Sequence, residues 1–255
     1  MPQTGSSTLD ESTRQLPDGF YSTFRTYEHG TRAIGLKQHL ARLFKPVKNA
    51  KVTEAEFRRQ LRELLKEYPN EARVRIIMTR NGQAYIAVEP LKPLPREVHE
   101  KGVRVKTIEL SREAPRLKST AFIEASREGR RQIAQEGIFE ALLVKSGRIL
   151  EGMTSNFFYV VNEVLYTASH GVLPGVTRGM VIRAARGRGL RVEYKSLKQD
   201  QLKVPNEAFL TSSSRGVVPV IQIDDVRLGE GRPGRITRLI SSAYEEFALK
   251  KAELI

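Results

Sequence analysis

Glu151-Gly-Met-Thr-Ser-Asn-Phe-Phe158 and Leu173-Pro-Gly-Val-Thr-Arg178, with Lys118 about thirty residues upstream, decide the reading of this chain. The first stretch follows the strand-and-turn pattern Leu142-Leu-Val-Lys-Ser-Gly-Arg-Ile-Leu150. By itself Glu151 reads as a turn carboxylate, and Asn156 as a brace for the same loop. The second stretch leads into a helical pattern. Gly175 lets the backbone approach closely, and the N–H groups of Val176 and Thr177 then point at an anion on the positive end of the helix. An ordinary helix start with Thr177 as its N-cap is a compatible reading, because a cap with free N–H groups is what a phosphate uses. Lys118 lies in Pro115-Arg-Leu-Lys-Ser-Thr120 and taken alone would be a solvated surface lysine.

The three together are far more specific. They resemble the fold-type IV family of pyridoxal-phosphate enzymes, which holds the branched-chain aminotransferases, the D-amino acid aminotransferases and 4-amino-4-deoxychorismate lyase. The resemblance covers about residues 17 to 225. It implies an α/β (α+β) two-domain fold and pyridoxal 5'-phosphate as cofactor. Lys118 would then be the catalytic Schiff-base lysine, with Arg112 and Arg116 as nearby cations that lower its charge. Glu151 would hold the pyridine nitrogen protonated. Gly175, Val176 and Thr177 would cup the phosphate. Arg42, in His39-Leu-Ala-Arg-Leu43, resembles the family's H-x-x-R-L motif and would add a cation there. In Thr211-Ser-Ser-Ser214 the best match for a phosphate hydroxyl is Ser213, and Ser214 would offer its backbone N–H to the substrate carboxylate.

The substrate residues are read the same way. Tyr21 and Arg25 lie in Phe20-Tyr-Ser-Thr-Phe-Arg25, which matches the strand near the branched-chain enzymes' substrate pocket. Arg75 occupies the place of their arginine for the distal carboxylate of 2-oxoglutarate, and Arg73 stands where they carry a tyrosine. Arg215 sits in the substrate loop as a candidate carboxylate clamp. There are departures. Ile123 replaces the branched-chain enzymes' tyrosine five residues after the lysine. Ala121 replaces the asparagine of the lyases and D-amino acid enzymes. No R-x-H trap follows Arg80, which counts against D-amino acids. The resemblance therefore implies an aminotransferase acting on L-branched-chain or other apolar amino acids with a 2-oxo acid such as 2-oxoglutarate. The lyase, a D-amino acid or amine aminotransferase, and an inactive relative remain as alternatives. Enzymes of this type build the site from two subunits, so a homodimer is implied as well.

Composition agrees with a globular enzyme. The 255 residues hold 40% hydrophobic and 28% charged side chains and no cysteine. Disulfides and thiolate metal sites are thereby excluded, and no metal site is expected. No apolar run approaches a bilayer span and the N-terminus lacks a signal pattern, so we expect a cytoplasmic protein without membrane contact. The net charge of +14 is spread along the chain with no aromatic-interleaved basic motif. That reads as a solvated surface attracting anionic substrates rather than a nucleic-acid interface.

The sequence places a loose or partly ordered arm over 1–16, a small N-terminal α/β domain over 1–90, a Pro-rich linker over 91–97 and a larger cofactor-binding domain over 98–255. Within the first domain, Thr53 and Glu56 form a capping box ahead of the apolar stripe Phe57, Leu61, Leu64, Leu65. A single helix is expected from Ala121 to Gln135, and another from Arg178 to Arg188.

Overall fold

The computed structural model describes residues 8–68 and 70–255. In chain order the elements are α1 (Leu9–Arg14), β1 (Gly19–Tyr27), β2 (Arg32–Ile34), α2 (Leu36–Phe44), α3 (Glu54–Leu65), β3 (Ala72–Thr79), β4 (Ala84–Pro90), α4 (Arg96–Lys101), β5 (Val103–Glu109), α5 (Ala121–Ala125) and α6 (Arg127–Gln135). They continue with β6 (Glu140–Lys145), β7 (Arg148–Gly152), β8 (Asn156–Val161), β9 (Val164–Thr167), α7 (Val176–Gly187), β10 (Val192–Tyr194), β11 (Leu197–Lys198), β12 (Glu207–Ser212), β13 (Gly216–Ile223), β14 (Val226–Arg227), α8 (Arg235–Lys250) and β15 (Ala252–Leu254). The chain divides into two units. The first takes residues 1–92, 117–125 and 251–255, and the second takes 93–116 and 126–250. The segment carrying Lys118 and the C-terminal strand thus join the first unit, although they follow the Pro-rich stretch in sequence.

The first unit is built on the sheet β15-β2-β1-β3-β4. Phe24, Leu40, Phe57, Leu61, Val74 and Ile76 are buried against one another in its core. Helix α3 forms as the sequence predicts. Thr53 Oγ1 accepts from the Glu56 N–H, and the Glu56 carboxylate accepts from the Thr53 N–H, so two otherwise orphaned donors are satisfied. The second unit is a ten-stranded mixed sheet ordered β10-β9-β8-β12-β13-β5-β6-β7-β11, with β14 paired to β13. Its parallel pairs, β13 with β5, β5 with β6 and β9 with β10, stand beside antiparallel hairpins. Its core holds Val105, Leu142, Val144, Ile149, Phe157 and Leu210.

Four expectations need correction. The arm expected over 1–16 is ordered where it is described: residues 9–14 form α1, with Leu9 and Thr13 buried, while residues 1–7 lie outside the described residues. The helix expected over 121–135 breaks at Ser126, whose backbone (φ −94°, ψ 0°) leaves the helical region. The helix expected from Arg178 begins two residues earlier, with Gly175 as N-cap in place of Thr177. Helix α4 and strand β15 are additional. The latter pairs with β2, and the Ile255 carbonyl accepts from Arg62 Nε at 2.6 Å.

Thr53→Ala removes the acceptor for the Glu56 N–H, and such a loss costs about 1 kcal/mol. We expect a lowered midpoint in urea or thermal unfolding of the first unit, while Thr53→Asp restores it.

Candidate active site

The first unit strings its candidate residues along one face of β1 and β3. The antiparallel register pairs Tyr21 with Ile77, Thr23 with Arg75, and Arg25 with Arg73, so these six side chains share one face of the sheet. Residues 118–120 run beside the start of β1. The Tyr21 N–H donates to the Lys118 carbonyl at 2.9 Å, and the Thr120 N–H donates to the Gly19 carbonyl at 2.9 Å. The Gly19 N–H donates to Thr120 Oγ1. Gly19 is needed because a Cβ there would lie 2.3 Å from the Met78 carbonyl of the neighbouring strand. Lys118 is thereby held buried, with its Nζ 4.8 Å from the centre of the Tyr21 ring. The same ring carries the Arg75 guanidinium at 4.7 Å. Tyr21, Ile77 and Ile123 form a small buried apolar cluster with Leu16 and Tyr85 packed against it.

Arg42 is in the last turn of α2, one turn after His39. His39 is buried, and its Nδ1 shares a hydrogen bond of 2.7 Å with Ser22 Oγ. Its Nε2 is buried without a hydrogen-bond partner among the described residues. Burial first, then the charges of Arg42 and Lys118, hold its pKa well below the usual histidine value. The imidazole is therefore neutral and adds no further cation beside Lys118.

The predicted guanidiniums differ in their surroundings. Arg73 pairs with Glu89 at 2.6 Å. Arg75 is almost fully buried and pairs with Asp10 at 2.6 Å. It also donates to the Leu9 carbonyl, Thr13 Oγ1 and Thr23 Oγ1. Arg25 lies over the Tyr27 ring, and its Nε is buried without a hydrogen-bond partner among the described residues.

The second unit gathers the rest. Glu151, on β7, is buried, with 1% of its surface exposed. Its Oε1 accepts from Arg112 Nε at 2.8 Å, and its Oε2 accepts from Asn156 Nδ2 and from the Leu173 N–H, each at 2.9 Å. Arg112, expected as a cation that tunes Lys118, is thus the partner of Glu151. Asn156 also donates to the Leu173 carbonyl, so it ties the carboxylate to the loop that enters α7. A Cβ on Gly175 would lie 2.0 Å from Asn156 Oδ1, which fixes glycine at this N-cap. No side chain caps α7. Thr177 is in its first turn and its Oγ1 is 3.1 Å from Ser213 Oγ, on the turn between β12 and β13. Arg178 donates to Thr167 Oγ1 and the Ala168 carbonyl, and burial lowers its pKa.

In that turn Arg215 donates to Glu140 Oε2 at 2.8 Å, to Thr154 Oγ1 and to Ser212 Oγ, with Phe139 beneath its guanidinium. Glu140 is buried and also accepts from the Thr154 N–H. Reading the sequence did not single out Glu140 or Asp10. The available signal for Glu140 was a lone acid heading the apolar run Ala141-Leu-Leu-Val144.

The pattern that defines Amino-transferase class IV matches residues 19–223. The chain belongs to the class IV aminotransferase family. It is 28% identical to the D-alanine aminotransferase of Bacillus licheniformis over 95% of this chain and 92% of that one. It is 32% identical to the branched-chain-amino-acid aminotransferase of Escherichia coli K12 over 59% of this chain and 52% of that one. A hypothetical aminotransferase from Mycobacterium tuberculosis, solved in its PLP-bound form, superposes with a TM-score of 0.79 at 20% identity, covering 98% of this chain and 95% of that one. The fold is therefore fold type IV, and the protein is a pyridoxal-phosphate-dependent transaminase. Its residues fit that cofactor. The first unit holds a buried lysine, and the second holds a pinned buried carboxylate and an uncapped helix start flanked by two hydroxyls. Among the described residues there is no cluster of potential metal ligands, and no helix is long and apolar enough to cross a membrane.

The neutral state of His39 predicts a pH dependence. The unfolded chain protonates histidine near pH 6.5, about its ordinary value, while the folded chain resists protonation until lower pH. Below about pH 6.5 the unfolded state then binds more protons, and stability falls on acidification. In His39→Gln this part of the loss should vanish, giving a flatter plot of melting temperature against pH in that window. An unchanged slope would show that His39 is not the group responsible.

Proposed function

We propose that this transaminase takes its amino group from apolar L-amino acids of the branched-chain type and gives it to a 2-oxo acid. The observation that carries the apolar preference is the cluster of Tyr21, Ile77 and Ile123 beside Lys118. A hydrophobic side chain placed there gains by leaving water, whereas a charged one would be desolvated against apolar walls. The same reading includes a homodimer, as the family resemblance implies, and a cytoplasmic location.

In this reading Lys118 would hold the cofactor through its Nζ, and the same amine would take the proton from the substrate α-carbon. The Tyr21 ring orients the amine. Glu151 holds a proton on the pyridine nitrogen, with Arg112, Asn156 and the Leu173 N–H fixing the carboxylate. Val176 and Thr177 N–H groups, Gly175, the Thr177 and Ser213 hydroxyls and Arg42 bind the phosphate. When bound, pyridoxal phosphate supplies the sink for the electron pair left at the α-carbon. Arg25, with its buried Nε, is the first unit's candidate for a substrate carboxylate, and the Ser214 N–H is the second unit's.

Two experiments test the assignment. Borohydride reduction of the holoenzyme followed by peptide mass spectrometry should place the phosphopyridoxyl group on Lys118, and Lys118→Ala should lose both the label and turnover. A label on another lysine would overturn the role. Glu151→Gln should retain cofactor yet slow transamination by about a hundredfold or more, the scale on which single charge-stabilising groups act. Near-normal turnover would make Glu151 structural. Comparing L-leucine with D-alanine as donors decides the stereochemistry, and release of pyruvate from aminodeoxychorismate without amino transfer would favour a lyase.

A further inference from the structure

We infer that Asp10 is a specificity-determining residue, an internal carboxylate that occupies Arg75 and excludes acids carrying a second carboxylate. The inference rests on the aminotransfer reading above and refines its substrate class.

The face of β1 and β3 that bears Tyr21 is graded. At the Lys118 end it is apolar, with Tyr21, Ile77 and Tyr85 in register across β1, β3 and β4. One step along, about 7 Å, stand Thr23 and Arg75. A further step brings Arg25, Arg73 and Glu89 into register. Arg75 and Lys118 lie 4.7 Å and 4.8 Å from the centre of the same ring, so a small 2-oxo acid placed beside Lys118 is long enough to bring a distal carboxylate to Arg75. That guanidinium is already engaged. Asp10 Oδ1 accepts from Arg75 Nη1 at 2.6 Å, and the same nitrogen donates to the Leu9 carbonyl and to Thr13 Oγ1. Helix α1 is fastened at a second point, where the Leu9 N–H donates to Glu89, the partner of Arg73.

Two of the guanidiniums on this face thus carry an internal carboxylate. A dicarboxylic acid reaching Arg75 must displace Asp10, leaving a half-buried carboxylate without its cation. If it leaves Asp10 in place, it brings a second negative charge beside the first. Both routes disfavour 2-oxoglutarate relative to 2-oxoisovalerate. Discrimination by placing a like charge against the unwanted ligand is a common source of specificity.

The test is Asp10→Asn, with Asp10→Ser as a second variant. The kcat/KM ratio of 2-oxoglutarate to 2-oxoisovalerate should rise at least about tenfold, and adding Arg75→Gln should cancel the rise. Thermal shift of the holoenzyme by glutarate and isovalerate reads binding without turnover, and the glutarate shift should grow in Asp10→Asn. An unchanged ratio with an unchanged glutarate shift, or equal losses for both acids, overturns the role. A wild type that transfers to neither acid overturns the aminotransfer reading, while the glutarate shift still decides the role of Asp10.

Discussion

A carboxylate with almost no exposed surface has to be held by donors, because an isolated buried charge is among the costliest things a protein can contain. Glu151 meets that constraint with partners from separate parts of the chain, and much of the second unit follows from it. Arg112 reaches it from the segment after β5, Asn156 from the start of β8, and the Leu173 N–H from the loop before α7. Once Asn156 spans the carboxylate and that loop, nothing larger than glycine fits at 175. Glycine at the N-cap in turn leaves the first N–H groups of α7 without a side-chain cap. The donors that hold one buried carboxylate thus also set the backbone at the start of α7.

The same economy of charge shapes the first unit. Its sheet face crowds Arg25, Arg73 and Arg75 within a few residues, with Arg25 directly opposite Arg73. Like charges in register are destabilising unless neighbours absorb them. Glu89 and Asp10 do so for Arg73 and Arg75, and the Tyr27 ring lies under Arg25. His39 contributes by staying neutral between Arg42 and Lys118. The basic character of the chain is therefore not only a surface property, since the buried Arg75 shares the Tyr21 ring with the buried Lys118.

Residues bound by local rules were legible in the sequence. Thr53 and Glu56 announce a capping box, and the Leu173–Arg178 loop enters a helix. What escaped depends on contacts distant in sequence. Helix α1 looks polar and aperiodic because it is held by Arg75 and Glu89, some 65 to 80 residues away. Glu140 and Arg215, 75 residues apart, have no local signature of partnership. The split of one expected helix at Ser126 likewise has no Gly or Pro to mark it. Arg112 was legible as a cation near Lys118 in sequence, but only the fold shows that it pairs with Glu151.

This division has a physical reason that bears on substrate choice. Groups that bind a fixed cofactor can be backbone N–H groups and residues locked by local geometry, and local geometry leaves motifs such as Leu173-Pro-Gly-Val-Thr-Arg178. Groups that choose a substrate act by being free or occupied, and occupancy is a property of pairs. Arg75 matches a motif position, yet its guanidinium is already paired with Asp10. Arg215 likewise stands in the loop where a carboxylate clamp is expected, but its Nη2 already donates to Glu140 and Thr154. An arginine in the right place is therefore weak evidence for a binding role until its partners are known. By that criterion Arg25, whose buried Nε has no hydrogen-bond partner among the described residues, is a stronger candidate than either.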